Sequence, residues 1–483
     1  VTGRDRPDPE PVTAPAADAT GCTEQAAPLV ASAAGVPCRP LVPEGVGERA
    51  ASPEESASRL ALVLGGLFAL AGSGSSAAAV ALPAVGADLD VSPGATAWAL
   101  SGYVLALAVT TAVYGRLADV AGVRRPLLAG GGLMAGGALL AAAATSLPVL
   151  LLGRVLQGAG AGAVPVLATA LLTSRFSGAV QASALARVAG FAAAGGALGP
   201  FLGGLLESSL GWRAVLALPA TGLLLLPLVA PSASRRGQGG RFDLLGAGLV
   251  VAFASGVVLL VQSAANGAVV AVVGVALLAV SGPAAVLHVR RRPDGFLPRR
   301  VISARRPVFA ALCAAVVPAG WFGLLLVVPT ELAARGWSTL LTGAVLVPAA
   351  AAGLVGSRYA GRLLDRLGGF RSLALASALT TLALVLAAAR LPVLLAAAVA
   401  VVSAAFSLGQ PALIRIVSAA VPAADRGVAL GVATLLFLLG GGVGTATVAG
   451  IGAVAGPSTG LLALAACPAL ATVLAWRRGR AEG

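Results

Sequence analysis

Few side chains in this sequence can do chemistry, and most that can are arginines. All 33 basic residues of the 483 are Arg, with 19 Asp and Glu and one His, His288. Without Lys the chain has no phosphate-cradling Walker loop and no Schiff-base nucleophile. With one His it has no HExxH helix, no His-rich metal cage and no pair of His for a proton relay. Four Cys stand far apart, at 22, 38, 313 and 467, and suggest neither a disulfide framework nor a metal site. No catalytic group, metal or cofactor is therefore expected.

One arginine stands out because of its neighbours. Arg154 lies about two turns inside an apolar run, where an ionised side chain is costly and marks a functional site. The plainer alternative is an Arg that snorkels to the interface. Gln157 follows one turn on, on the same helix face. Carboxylates able to take up a proton are scarce in the apolar runs. Glu207 and Glu331 stand at run ends on one side, and Asp119 and Asp365 at run ends on the other.

The elements that carry these groups are membrane helices. Hydrophobic residues make up 58% of the chain and charged ones 11%, against roughly 25% charge in a soluble domain. Fourteen runs are long enough to cross a bilayer core, which takes about 20 residues. They fall near 60–83, 96–115, 126–146, 148–173, 184–206, 213–232, 243–263, 267–288, 307–329, 338–360, 373–389, 391–420, 427–452 and 457–476. On this threading 29 arginines fall on one side and only Arg213, Arg335 and Arg390 on the other. That asymmetry places both termini in the cytoplasm of a plasma-membrane protein. Trp98, Trp212 and Trp337 fall at the outer interface and Trp476 at the inner one, with Trp321 well inside the ninth run. The net charge of +14 is spread over short loops, which argues against a nucleic-acid surface. His288 ends the eighth run beside Arg290 and reads as an interfacial residue.

The chain also repeats itself. GRLADVAGVRR, Gly115–Arg125, follows the second run, and GRLLDRLGGFR, Gly361–Arg371, follows the tenth, 246 residues on. A shared inner-loop motif points to duplicated halves. The expected organisation is a disordered acidic tail (1–58) with no signal peptide, a six-span half (59–235) and a two-span insert with a basic linker (236–306). A second six-span half (307–477) and a short C-terminus (478–483) follow. Gly115 is expected to turn the chain at a helix end, and Asp119 to accept helix-start N–H bonds or pair with Arg. In the fifth run Gly195, Gly199 and Gly203 share one helix face, and Pro200 can bend the span. Close packing and gating both fit that face. Gly440–Gly444 in the thirteenth run offers a match.

These motifs resemble the major facilitator superfamily, in its fourteen-span drug:proton antiporter branch, over residues 60–476. Gly115–Arg125 is similar to motif A, with a second copy at Gly361–Arg371. Arg154-Val-Leu-Gln157-Gly158-Ala-Gly160 is similar to motif B. Gly195-Gly-Ala-Leu-Gly199-Pro200-Phe-Leu-Gly203-Gly204 is similar to the antiporter motif C, and Arg241-Phe-Asp243 to the opening of the extra two-span insert. The resemblance implies an all-α membrane fold, a monomer, and secondary export of amphipathic drugs or metabolites by alternating access with proton antiport. A proton-independent facilitator is the alternative. A membrane-embedded acyltransferase would need a His–carboxylate or metal constellation, and a sensor a folded soluble domain.

The resemblance implies gating at Gly115, Arg116, Asp119, Gly122, Arg125, Gly195, Gly199, Pro200, Gly203, Gly361 and Asp365. Proton coupling would fall to Arg154, Glu207 or Glu331. A midplane cavity is expected to be lined by Tyr103, Arg154, Gln157, Gln262, Trp321, Phe322 and Gln410. One departure matters. The family carries an Asp in the first span, where this sequence has Gly74 before Val80-Ala-Leu-Pro83. Only Ser73, Ser75, Ser76 and Gln157 then stand as side-chain partners for Arg154, and a bound substrate is expected to supply its acceptor through a carboxylate, phenolate or polarised carbonyl.

Overall fold

The hydrophobic runs become long helices. A computed structural model describes residues 52–481, except 235, 236, 238, 240, 241, 294 and 423–425. The expected tail up to residue 51, and Arg241, lie outside these residues. The helices are α1 (Glu54–Asp88), α2 (Pro93–Ala121), α3 (Arg124–Ala142), α4 (Leu147–Arg175), α5 (Gly178–Leu210), α6 (Trp212–Ser232), α7 (Leu244–Ala264) and α8 (Ala268–Arg291). They continue with α9 (Arg305–Ala333), α10 (Thr339–Leu367), α11 (Gly369–Ala388), α12 (Pro392–Ala420), α13 (Val428–Ala455) and α14 (Pro457–Ala481). Among the described residues thirteen are long and apolar enough to span a membrane, and α5, a bent pair, makes fourteen if it counts as one span.

Prolines set where these helices break. Proline has no N–H to donate, and its ring crowds the carbonyl four residues before it. The break in α4 follows Ala161, four residues before Pro165. That in α9 follows Ala314, four before Pro318, and that in α10 follows Val345, within the turn before Pro348. The 43° bend in α5 comes after Gly196, four residues before Pro200. In α6, with Pro219, Pro227 and Pro231, residues Leu218–Leu224 tighten into a 3-10 turn.

Several helices extend beyond the apolar runs drawn from the sequence, which corrects the expected turn at Gly115. Gly115 lies inside α2 and Gly361 inside α10. The turns fall seven residues later, at Gly122 (φ 79°) and Gly368 (φ 76°), left-handed positions that favour glycine. Both glycines belong to the repeated motif, so the repeat marks the turn, with the pivot at its second glycine.

One buried core joins α1 to α6 and takes in Phe322, Leu325 and Leu326 of α9. Two more are built from α9 to α14, and Val80 of α1 enters one of them. Helix α7 packs on α2 and α13 through Ala254, Ala108, Val109 and Leu435. Helix α8 packs on α7, where Gly256 and Gly274 admit the neighbouring helix, and only 11% of its most apolar stretch is buried.

Candidate functional site

Arg154 is held by three helices. Its side chain is 1% exposed on α4. Nε donates to the Ala99 carbonyl of α2 at 3.1 Å, and Nη1 to the Gly74 carbonyl of α1 at 2.9 Å and to Gln157 Oε1 at 2.5 Å. The guanidinium lies 4.4 Å from the centre of the Tyr103 ring, whose hydroxyl donates to the Ala71 carbonyl at 2.7 Å. A cation over an aromatic face is attracted by the ring quadrupole. Arg154, Gln157, Tyr103 and Gly74 thus meet at one point.

The expected partners of Arg154 need correction. Ser73 donates to the Leu70 carbonyl, and Ser75 and Ser76 to that of Gly72, all within their own helix. Backbone carbonyls engage Nε and Nη1, while the buried Nη2 has no hydrogen-bond partner among the described residues. Gly74 explains the α1 contact: its missing side chain lets the backbone of α1 approach. A Cβ there would stand 3.1 Å from Gln157 Nε2 and from Pro219 Cγ.

The glycine motifs are places where backbones touch. On α5, a methyl group at Gly195 would overlap Ala69, one at Gly199 would overlap Ser76, and one at Gly203 would meet the Ala77 carbonyl at 2.7 Å. These three glycines seat α5 on α1. Gly204 faces the other way, onto Thr339 and Leu340 of α10. The second half repeats the scheme: Gly440 and Gly444 of α13 seat on Ala315 and Ala319 of α9. In motif B, Gly158 lies against the Tyr103 carbonyl of α2, and Gly160 against Met134 of α3.

The remaining candidates do not gather around Arg154. Trp321 of α9 stacks 6.0 Å from Phe406 of α12, which in turn is 5.5 Å from Phe437 of α13. Phe322 is buried against Gly441 of α13, and Gln262 is buried on α7 beside Gly450. Gln410 is half-buried on α12. The expected single lining is thus split into separate clusters.

Glu331 is 8% exposed and makes a 2.8 Å ion pair with Arg390, so it is tied down structurally and does not stand in open solvent. Glu207 is half-buried on the last turn of α5. Asp119 is exposed on the last turn of α2, one turn after Arg116, and Arg125 is exposed at the start of α3. Asp365 pairs with Arg415 of α12 at 2.7 Å.

Two contacts were hidden from the sequence because they join residues far apart in it. Ser101 and Thr445, both buried, share a 2.9 Å hydrogen bond between α2 and α13. Asp243, ahead of α7, pairs with His288 at 2.8 Å and accepts the amides of Gly246 and Phe296. His288 is therefore a partner in a buried cluster, where the sequence suggested only an interfacial position. Burial works to raise the Asp243 carboxyl, but the bonds from Phe296, His288 and Gly246 together outweigh it and hold it below its ordinary value. Trp212 is likewise buried and donates to Asp88 at 3.2 Å, which departs from a lipid-facing belt position.

An all-α, multi-pass membrane protein whose two helix sets pack by one repeated scheme is what these contacts define. The chain belongs to the Major Facilitator Superfamily, whose family model matches residues 63–445. It is 40% identical over 138 residues to the cephamycin export protein CmcT of Amycolatopsis lactamdurans, covering 28% of each chain. It is 31% identical over 301 residues to the multidrug resistance protein Stp of Mycobacterium tuberculosis, covering 60% of this chain and 55% of Stp. The matched part thus spans about half or less of these relatives. A peptide transporter POT in complex with sulfate has the same fold, with a TM-score of 0.66 at 16% identity over 87% of this chain and 95% of that one. Proteins named for antibiotic export and for multidrug resistance are thus among the relatives of this chain.

Proposed function

We propose that this transporter exports amphipathic small molecules, such as a drug, an antibiotic or a secondary metabolite, by alternating access. It would sit in the plasma membrane with both termini cytoplasmic, residues 59–235 and 307–477 forming the moving halves and 236–306 the insert and linker. The observation that carries this reading is the contact between the two helix sets near the arginine-poor face. There Gly204 rests on Thr339, and Gly343 on Pro200 and Phe201. Towards the arginine-rich face, α10 carries Leu354, Val355 and Tyr359 with 44–55% exposure. Contact at one end and exposure at the other suit a carrier open towards the arginine-rich side. Asp119 and its repeat Asp365 would then latch that side when it closes, and Trp321 and Gln410 would face the cargo.

The cargo class follows from the names of the relatives, and proton antiport from the resemblance of motif C. A second reading, transport without proton coupling, is favoured by one observation. Gly74 stands where a carboxylate would face Arg154, and Glu331 is engaged by Arg390. Uptake of a fluorescent drug into inverted vesicles, with and without a proton gradient, tests both. Gradient-driven accumulation supports antiport, equilibration alone supports the facilitator, and no movement in either refutes export.

A further inference from the structure

The linker between α8 and α9 is built as a platform. Its 290–306 stretch holds seven Arg and one acid, Asp294. Arg290, Arg291, Arg292, Arg299, Arg300 and Arg305 are all exposed. Beneath them the chain is anchored. The Phe296 amide donates to Asp243 Oδ2 at 2.9 Å, and the Phe296 ring meets Phe242 edge-on at 6.2 Å. Phe296 and Val301 are 5% and 3% exposed, and the Arg299 amide donates to the Pro293 carbonyl at 2.8 Å. A side chain at Gly295 would run into Asp243, its Cβ 2.6 Å from Oδ2.

The same anchoring occupies the carboxylate that the linker packs against. Asp243 is 9% exposed and spends both oxygens on His288 and backbone amides. It has nothing left for the arginines above it. Positive-inside placement requires arginines near this loop, but it does not require a fixed loop or a spent carboxylate.

Directly beside the arginines the surface turns apolar. Val286 and Leu287, one turn before Arg290, are 56% and 48% exposed, and Leu244 and Leu245 at the start of α7 are 76% and 63% exposed. A partner that satisfies both surfaces carries a phosphate above and hydrocarbon below. We propose that this platform binds the headgroup of an anionic phospholipid, with the acyl chains lying along α7 and α8. Guanidinium forks match phosphate oxygens two at a time, which suits an all-arginine surface. Ordering of the linker by Asp243 lowers the entropic cost of binding.

The test uses the purified full chain in detergent, titrated with phosphatidylglycerol or with phosphatidylcholine of the same acyl composition. Bound lipid is counted by native mass spectrometry. Phosphatidylglycerol is expected to bind more tightly. Replacing Arg299→Gln and Arg300→Gln together should weaken it by about 25-fold, about fivefold per arginine at an anionic surface. Phosphatidylcholine binding should not change, and Arg477→Gln with Arg480→Gln at the end of α14 should leave phosphatidylglycerol binding near wild type. Equal affinity for the two lipids, or full retention in the Arg299/Arg300 variant, overturns the proposal. So does equal competition by inorganic phosphate, which would make the platform a phosphate site with no preference for lipid.

Discussion

Two adjacent glycines on α5 separate helix packing from every other effect of substitution. Gly195 faces α1, and an alanine there would place Cβ 2.5 Å from Ala69 Cβ and 2.7 Å from its carbonyl oxygen. Carbon atoms in good contact lie about 3.5–4.0 Å apart, so α1 and α5 must separate by about 1 Å. Gly196 lies on the open flank of the same helix, where an added methyl group would meet no atom within 4 Å. Each substitution brings the same gain in helix propensity, about 1 kcal/mol. That gain cancels in the comparison, leaving the overlap, about 1–3 kcal/mol for overpacking. Gly195→Ala is therefore expected to be less stable than Gly196→Ala by that amount, and to lose transport as the contacts of Gly199 and Gly203 with α1 loosen. Thermal and denaturant unfolding of the purified variants, with drug efflux measured in parallel, reads both effects. Equal stability of the two variants would refute the seating of α5 on α1 through its glycines.

Other substitutions probe the charged groups. Arg154→Lys keeps the charge but loses the fork that reaches Ala99, Gly74 and Gln157, and should lower stability by about 1.5–3 kcal/mol; an unchanged melting temperature would show that charge alone suffices. Asp119→Asn should slow efflux at unchanged stability, and wild-type efflux would remove the latch. Asp243→Ala should cost about 1–3 kcal/mol at neutral pH by stripping the amides of Gly246 and Phe296. Because the folded carboxyl sits below its ordinary value, its contribution is full above the unfolded pKa of about 4 and is lost as pH falls through the folded one. The difference in melting temperature between wild type and variant should therefore shrink in acid, and a constant difference would count against the cluster. Ser303→Cys in the linker should resist impermeant thiol reagents applied to intact cells, and labelling there would reverse the topology.

What the sequence discloses here is periodic or repeated. Apolar length marks every span, and the duplicated motif marks two equivalent turns, since both features are local in the chain. The placement of Arg154 beside Gly74 was legible because both lie at similar depth in spans drawn by length. The acceptors of Arg154 were not, because every residue has a carbonyl and only the packed fold selects Ala99 and Gly74. Glycines announce close approach without naming the partner. Gly195 and Gly204 stand nine residues apart, yet one meets α1 and the other α10. His288 and Asp243, 45 residues apart, gave no signal beyond standing at opposite ends of a two-helix insert.

The prolines that break the helices also leave oxygen behind. Each removes the donor that would have served the carbonyl four residues earlier. Pro165, Pro200 and Pro318 so withhold that donor from the carbonyls of Ala161, Gly196 and Ala314. The serines and threonines in the spans mostly spend their hydroxyl protons on carbonyls of their own helices. The released carbonyls are a reserve of polarity without charge, fixed by the main chain. Mutating side chains one by one would leave that reserve intact. A passenger bearing hydroxyl or amide donors could find partners in such walls even after every polar side chain has been replaced.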